Sequence, residues 1–421
     1  MWGYVPYLLR KANQKITLHI LKINSMQNIF SDRIADVPRS FIRDILKIAV
    51  QSDVISFAGG LPNRNLFPVE QLQASTNKVF ENFGRQALQY AESEGLPQLR
   101  EFIANEYRTK KGIDVDPNRV LITNGSQQGL DLLAKTILNE GEDVVLEEPG
   151  YLGAIQSFSV FKARFTQVKM NEDGIDCDAL DKALEKTRAK LFYCVPNFQN
   201  PSGITYSTKV REKVAGIVDK YLTLLIEDDP YGELRFSGNV EPSFGKLLPH
   251  KTVMLGSFSK TVVPAFRLGW MVLPDAIYER VIVAKQAADL HTNSFSQYIV
   301  AQFLQDYPLS NHIELIRKVY GDQCKAMIAS IKECFPKGVH CTEPEGGMFL
   351  WVTLPDGISS MELFEIALKN KVAFVPGNPF YADARNVSSF RLNFSCVDEA
   401  TIRIGVKRLA DSIDELLKMK R

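Results

Sequence analysis

Lys260 lies in Gly256-Ser257-Phe258-Ser259-Lys260-Thr261, and Arg267 follows seven residues later. Two hydroxyls, a lysine and an arginine at this spacing suit a phosphate, because a guanidinium can contact it through two N–H groups at once. The lysine is also a candidate amine for trapping a carbonyl as a Schiff base. No G-x-x-x-x-G-K-[ST] loop occurs, so nucleotide hydrolysis loses support. Glu227-Asp228-Asp229-Pro230-Tyr231 ends an apolar run with three acids in a row. Such charges are costly to bury unpaired. Three readings stand: a metal site, a carboxylate opposite a ring-nitrogen cation, or a solvated strand end. Residues 196–203 (PNFQNPSG) form a rigid polar loop in which Asn200 can donate its amide to a ligand oxygen. Asn124-Gly125-Ser126-Gln127-Gln128 either turns the chain and caps a helix or offers helix N-terminal N–H groups to a phosphate.

These clusters share a position: each follows a strand-like run. The runs are 119–123 (RVLIT), 143–148 (DVVLEE), 190–195 (KLFYCV), 223–228 (TLLIED) and 252–257 (TVMLGS). Amphipathic stretches such as 129–139 and 210–222 lie between them. The alternation predicts an α/β fold with a mainly parallel sheet covered by helices on both faces. Ligands of such sheets bind beyond the carboxyl ends of the strands. After about residue 310 the pattern changes to a long helix (309–334), short strands and further helices, which predicts a smaller α+β domain. The expected organisation is an extension (1–25), an N-terminal arm forming part of the small domain (26–75), a large domain (76–308) and a small C-terminal domain (309–421).

Composition narrows the function classes. The 421 residues carry 50 Lys+Arg against 49 Asp+Glu, which argues against a polybasic nucleic-acid arm. No uncharged apolar stretch reaches the roughly 18 residues of a membrane span. The six cysteines form no C-x-x-C and the five histidines no H-E-x-x-H, so a zinc hydrolase is not expected. Sparse cysteines point to a reducing compartment, and a cytoplasmic location is expected. Residues 1–25 are basic and acid-free. They read as a targeting segment, a solvated arm, or sequence upstream of a start at Met26.

Taken in order, N-G-S-Q-Q (124–128), P-G-Y (149–151), N-P-S-G (200–203), D-D-P-Y (228–231), S-F-S-K (257–260) with R-L-G-W (267–270), and R-L-N-F (391–394) resemble the class I aminotransferases. These are fold-type I pyridoxal-phosphate enzymes. The resemblance covers about residues 30–415. Residues 56–62 (SFAGGLP), 88–95 (LQYAESEG) and 284–292 (AKQAADLHT) make it most similar to the 2-aminoadipate (LysN-type) and broad-specificity aromatic branch.

The resemblance implies a seven-stranded, mainly parallel sheet, pyridoxal 5'-phosphate as cofactor, and a role for each matched residue. Lys260 would hold the cofactor and then move the substrate's α-proton. Asp228 would pair with the ring nitrogen. Tyr231 and Asn200 would meet the ring hydroxyl oxygen, and Tyr151 would stack on the ring. Ser126, Gln127, Ser257, Ser259 and Arg267 would hold the phosphate, joined by Tyr90 from the neighbouring subunit of a homodimer. Arg391 would grip the substrate α-carboxylate, with Gly60 letting the backbone approach it. Arg43, in 40–46 (SFIRDIL), would meet a distal carboxylate. The implied activity is ping-pong transfer of an amino group from 2-aminoadipate, an aromatic or a branched-chain amino acid to 2-oxoglutarate. Three rival readings are other pyridoxal-phosphate chemistry such as β-lyase or decarboxylase activity, a MocR-type regulator without its DNA-binding domain, and a cofactor-free binding protein.

Overall fold

The computed structural model describes residues 29–35, 37, 53–383 and 385–420. Both the basic N-terminal segment and Arg43 lie outside the described residues. The five apolar runs are strands of one sheet. From one edge its order is Val120–Thr123, Gly269–Val272, Thr252–Ser257, Leu224–Asp228, Leu191–Cys194, Asp143–Glu148 and Arg164–Asn171, with the two-residue strand Gly174–Ile175 at the far edge. Seven long strands are thus extended by one short one. Gly269–Val272 runs antiparallel to both neighbours, and the strands from Thr252–Ser257 to Arg164–Asn171 are parallel.

Burial explains which strands the sequence announces. Val120–Thr123, Leu191–Cys194 and Thr252–Ser257 are buried at every residue, as strands covered on both faces must be. Arg164–Asn171 lies next to the short edge strand and is largely half-exposed, so it shows no continuous apolar run. The covering helices are one-sided. Thr208–Asp219 buries Val210, Val214, Ile217 and Val218, the i, i+4, i+7, i+8 stripe of an amphipathic helix. Its first turn is capped by the Ser207 hydroxyl, which accepts from the Val210 N–H.

A second, antiparallel sheet has the order His340–Cys341, Phe349–Thr353, Ser389–Asn393, Val375–Pro376. Ile55–Ser56 pairs in parallel with Val372–Ala373 beside it. One apolar core runs through both sheets, from Ile226, Val253 and Leu255 to Phe349, Leu392 and Phe394. Each such side chain contributes about 1.5–3 kcal/mol when fully buried. This shared core places Ser389–Asn393, with Arg391, against the carboxyl ends of the large sheet. Among the described residues no helix is long and apolar enough to cross a membrane.

Candidate active site

The three consecutive acids are split by strand alternation, which sends successive side chains to opposite faces. Glu227 and Asp229 share one face. Glu227 accepts from the Ser243 hydroxyl and the Gly245 N–H. Asp229 accepts from Lys111 Nζ at 2.6 Å, Asn197 Nδ2 at 2.9 Å and the Gly232 N–H. Asp228 stands alone on the other face, 2% exposed. Its Oδ2 accepts from the Tyr193 hydroxyl at 2.8 Å, while its Oδ1 is buried with no hydrogen-bond partner. Burial pushes the Asp228 carboxyl up to about 7, against the Tyr193 hydrogen bond and with repulsion from Asp229. No group of three acids, histidines or cysteines placed to hold a metal occurs among the described residues.

That shift gives a testable pH dependence in the cofactor-free protein. A carboxyl raised from 3.8 to about 7 favours the folded state only while protonated. Its contribution is complete below pH 4 and is lost as pH rises through about 7. Asp228→Asn stays neutral throughout. The melting temperature of cofactor-free Asp228→Asn is therefore expected to gain on the wild type between pH 5 and pH 8. Parallel melting curves across that range would contradict the assignment.

Three buried or half-buried lysines sort themselves by partner. Lys111 is salt-bridged to Asp229. Lys285 spends its ammonium on Asp289, Gln128 and Thr292. Lys260 alone of these has no acid: its Nζ donates to the Gly60 carbonyl at 2.9 Å. Burial lowers its amine to about 8, helped by the cations Arg391 and Arg267 against an opposing contribution from Cys396. About a tenth of it is then neutral at pH 7, a proportion suited to general-base work.

Arg391 reaches the same place from the small sheet. It is 3% exposed, and its two terminal nitrogens donate to Asn200 Oδ1 at 2.8 Å and the Ala58 carbonyl at 2.9 Å. The guanidinium lies over the Phe349 ring at 4.3 Å, and its Nε has no partner. No carboxylate pairs with it among the described residues, and burial lowers it to about 10. Asn200 Nδ2 donates in turn to the Tyr231 hydroxyl at 3.3 Å. A Cβ on Gly60 would stand 3.4 Å from Phe349 and 3.9 Å from the Arg391 guanidinium, so a larger side chain here would crowd the arginine.

The remaining residues form a cup at the start of helix Ser126–Ile137. The N–H groups of a first helical turn have no intrahelical acceptor and carry the positive end of the dipole. Gly125 precedes it at φ 72°, and a Cβ there would lie 2.6 Å from the Arg267 guanidinium. Gly269 is as constrained, since its Cβ would meet the Gly125 backbone at 2.8 Å. Gly269 pairs with Ser257, whose hydroxyl accepts from the Ser259 N–H at 3.1 Å. Arg267 itself is left-handed at φ 53° and donates to the Asn124 carbonyl at 3.4 Å. Tyr151 packs over Tyr193 with ring centroids 6.4 Å apart, and burial pushes its hydroxyl up to about 12.

Two matched residues sit differently from the rest. Gln127 turns its amide to the Gly153 carbonyl and the Ser157 hydroxyl, so it faces the cup through its backbone. Tyr90 is 80% exposed and touches His291 edge-on. Several supporting residues were not anticipated. Tyr193 holds Asp228, and Lys111 holds Asp229. Buried Glu147 accepts from the Val195 N–H, Tyr206 and Gln199, and so fixes the loop that carries Asn200. Burial pushes Glu147 up to about 7.

Together these features define an α/β enzyme built around an unpaired lysine amine and a cup for an anion. The family follows from comparison. Residues 53–409 match the model of aminotransferase class I and II, and the chain belongs to that family. It is a pyridoxal-phosphate-dependent aminotransferase. The chain is 38% identical to aromatic-amino-acid aminotransferase 1 of Thermococcus litoralis, covering 93% of this chain and 95% of that one. It is 38% identical to 2-aminoadipate transaminase of Thermus thermophilus, covering 95% and 100%. The crystal structure of Pyrococcus horikoshii kynurenine aminotransferase superposes with a TM-score of 0.89 at 40% identity, covering 94% and 99%.

Proposed function

We propose that this aminotransferase takes amino groups from 2-aminoadipate and aromatic amino acids and delivers them to 2-oxoglutarate. The observation that carries an α-amino-acid substrate is Arg391: a buried guanidinium without an acid, whose pairing with a carboxylate would offset its desolvation. The names of the similar enzymes support the range of side chains. Arg43 is proposed as the reader of a distal carboxylate.

The residues fit pyridoxal phosphate. The orphaned Asp228 Oδ1 suits a protonated ring nitrogen, and the cup at Ser126, Ser257, Ser259 and Arg267, with the Gln127 backbone, suits a phosphate. Asn200 and Tyr231 would meet the ring hydroxyl oxygen, and Tyr151 would cover the ring. When bound, the cofactor supplies the aldehyde that accepts the amino group and an electron-poor ring that stabilises negative charge at the substrate α-carbon. The chain does the rest. Asp228 keeps the ring nitrogen charged. Arg391, held by Asn200 and Ala58, fixes the α-carboxylate and with it the orientation of the C–H bond to be broken. Lys260 would anchor the cofactor and then carry the proton from the substrate α-carbon to the carbon that bears the cofactor's aldehyde.

The test is a half-reaction: the visible absorption of the holoenzyme with an amino acid and no oxo acid. Bleaching by 2-aminoadipate and by phenylalanine or kynurenine is expected. Bleaching by aromatic substrates alone would discard the distal-carboxylate role of Arg43. Release of ammonia and pyruvate from a β-substituted amino acid, without transfer to 2-oxoglutarate, would favour the lyase reading.

A homodimer is part of the proposal. Phe80, Phe83, Leu88 and Tyr90 are exposed on and just after helix Val69–Ala87, an apolar group of the kind that marks an interface. Sedimentation is expected to give twice the chain mass. Tyr90→Phe should remain dimeric and weaken cofactor binding by roughly 10- to 100-fold, since a hydrogen bond to a charged group contributes about 1.5–3 kcal/mol. A Tyr90→Phe enzyme with unchanged cofactor affinity would remove Tyr90 from the site.

A further inference from the structure

Behind the cup lies a network, buried at Lys285 and Thr292 and half-buried at Asp289, Gln128 and Asn124, that the chemistry above does not use. Lys285 is fully buried near the end of helix Asp275–Asp289. Its Nζ donates to Asp289 Oδ2 at 2.8 Å, Gln128 Oε1 at 3.0 Å and the Thr292 hydroxyl at 2.7 Å. The Thr292 hydroxyl donates to the Ile122 carbonyl, in the strand that leads into the cup. Asp289 Oδ2 also accepts from Asn124 Nδ2 at 2.6 Å and Gln128 Nε2 at 2.8 Å. Gln128 Oε1 accepts from the Asn124 N–H at 2.8 Å. Asn124 is thereby held at three points: its side-chain Nδ2 and its N–H by this network, its carbonyl by Arg267.

The backbone between Asp289 and Thr292 is strained. Leu290 has φ 64° and ψ −59°, and the His291 N–H donates to the Asp289 carbonyl at 2.7 Å. This is a γ-turn of the uncommon, strained form. Conformations of this kind persist where surrounding contacts over-determine them. Lys285 supplies those contacts by bridging Asp289 and Thr292 across the turn.

We propose that Lys285 and Asp289 are positioning residues for the cofactor's phosphate, acting through Asn124 and Gln128 on Arg267 and the first turn of helix Ser126–Ile137. The inference rests on the reading of this cup as the phosphate site. It makes a distinction that loss of stability would not. The network touches only the phosphate end, so disrupting it weakens pyridoxal phosphate and spares pyridoxal, which has no phosphate.

The experiment is equilibrium binding of each compound to cofactor-free enzyme, followed by visible absorption, for wild type, Asp289→Asn and Asn124→Ala. Asn124→Ala cuts the side-chain link from Asp289 to the cup and leaves the Lys285–Asp289 pair whole, so it keeps the test alive if Asp289→Asn fails to fold. Pyridoxal phosphate is expected to bind each folded variant about tenfold more weakly, with pyridoxal affinity unchanged within twofold. Unchanged pyridoxal phosphate affinity, or equal weakening of both compounds, would overturn the proposal. A wild type that binds both compounds equally would instead overturn the phosphate-cup reading, and the inference with it.

Discussion

Lys260→Ala is expected to lower transamination by at least about 10⁴-fold, because one substitution removes both the anchoring amine and the general base. The fold should survive. Lys260 makes one hydrogen bond, to the Gly60 carbonyl, and no salt bridge among the described residues. Its replacement leaves no buried acid unpaired, in contrast to loss of Lys111 or Lys285. Stopped-flow mixing with 2-aminoadipate should show cofactor bound but no proton transfer at the α-carbon, read as retained α-deuterium in the recovered amino acid. Added methylamine should restore part of the rate if the missing element is a base. Deuterium exchange at the wild-type rate would place the base elsewhere.

Arg391→Leu has the second largest expected effect. Truncating one partner of a buried, hydrogen-bonded charge pair costs about 2–5 kcal/mol. That corresponds to a loss in kcat/KM of about 30-fold to several thousand-fold, with a raised KM. Arg391→Lys should recover little, because an ammonium cannot match the two-pronged contact of a guanidinium with a carboxylate. The substitution also frees Asn200 Oδ1, so some loss of melting temperature is expected alongside. A control isolates the recognition step. An amine that lacks the α-carboxylate should react equally slowly with both enzymes. If Arg391→Leu slowed that amine as much as the amino acid, the arginine would be holding the site together rather than reading the substrate.

The strand ends were legible because their chemistry interrupts continuous apolar runs. A serine, lysine or acid after TVMLGS or TLLIED has no reason to be there in a buried sheet unless something meets it. The same reading could not divide Glu227, Asp228 and Asp229. Alternation separates the middle one, but which face holds Lys111 and which holds Tyr193 depends on partners 118 and 35 residues away. Tyr193 carries no sign of its partner, since it sits inside the apolar run KLFYCV. Only the register that pairs it with Ile226 sets its hydroxyl two residues short of Asp228. Glu147 was hidden in the same way inside DVVLEE, since its partners Gln199 and Tyr206 come from a loop some 50 residues on. The strand Arg164–Asn171, next to the short edge strand, was silent for a different reason: half-exposed strands carry too few apolar residues to form a run. Arg391 and Tyr90 carry no local signal at all. An arginine in a short strand and an exposed tyrosine gain meaning only from the motifs around them.

The most direct test is to reduce the holoenzyme with borohydride, digest it and locate the pyridoxyl group by mass spectrometry. The expected result is a single labelled peptide with the modification on Lys260, in Ser259-Lys260-Thr261. Label on Lys111 or Lys285, or no label in protein that had bound the cofactor, would contradict the assignment of Lys260 and with it the chemistry derived from its unpaired amine.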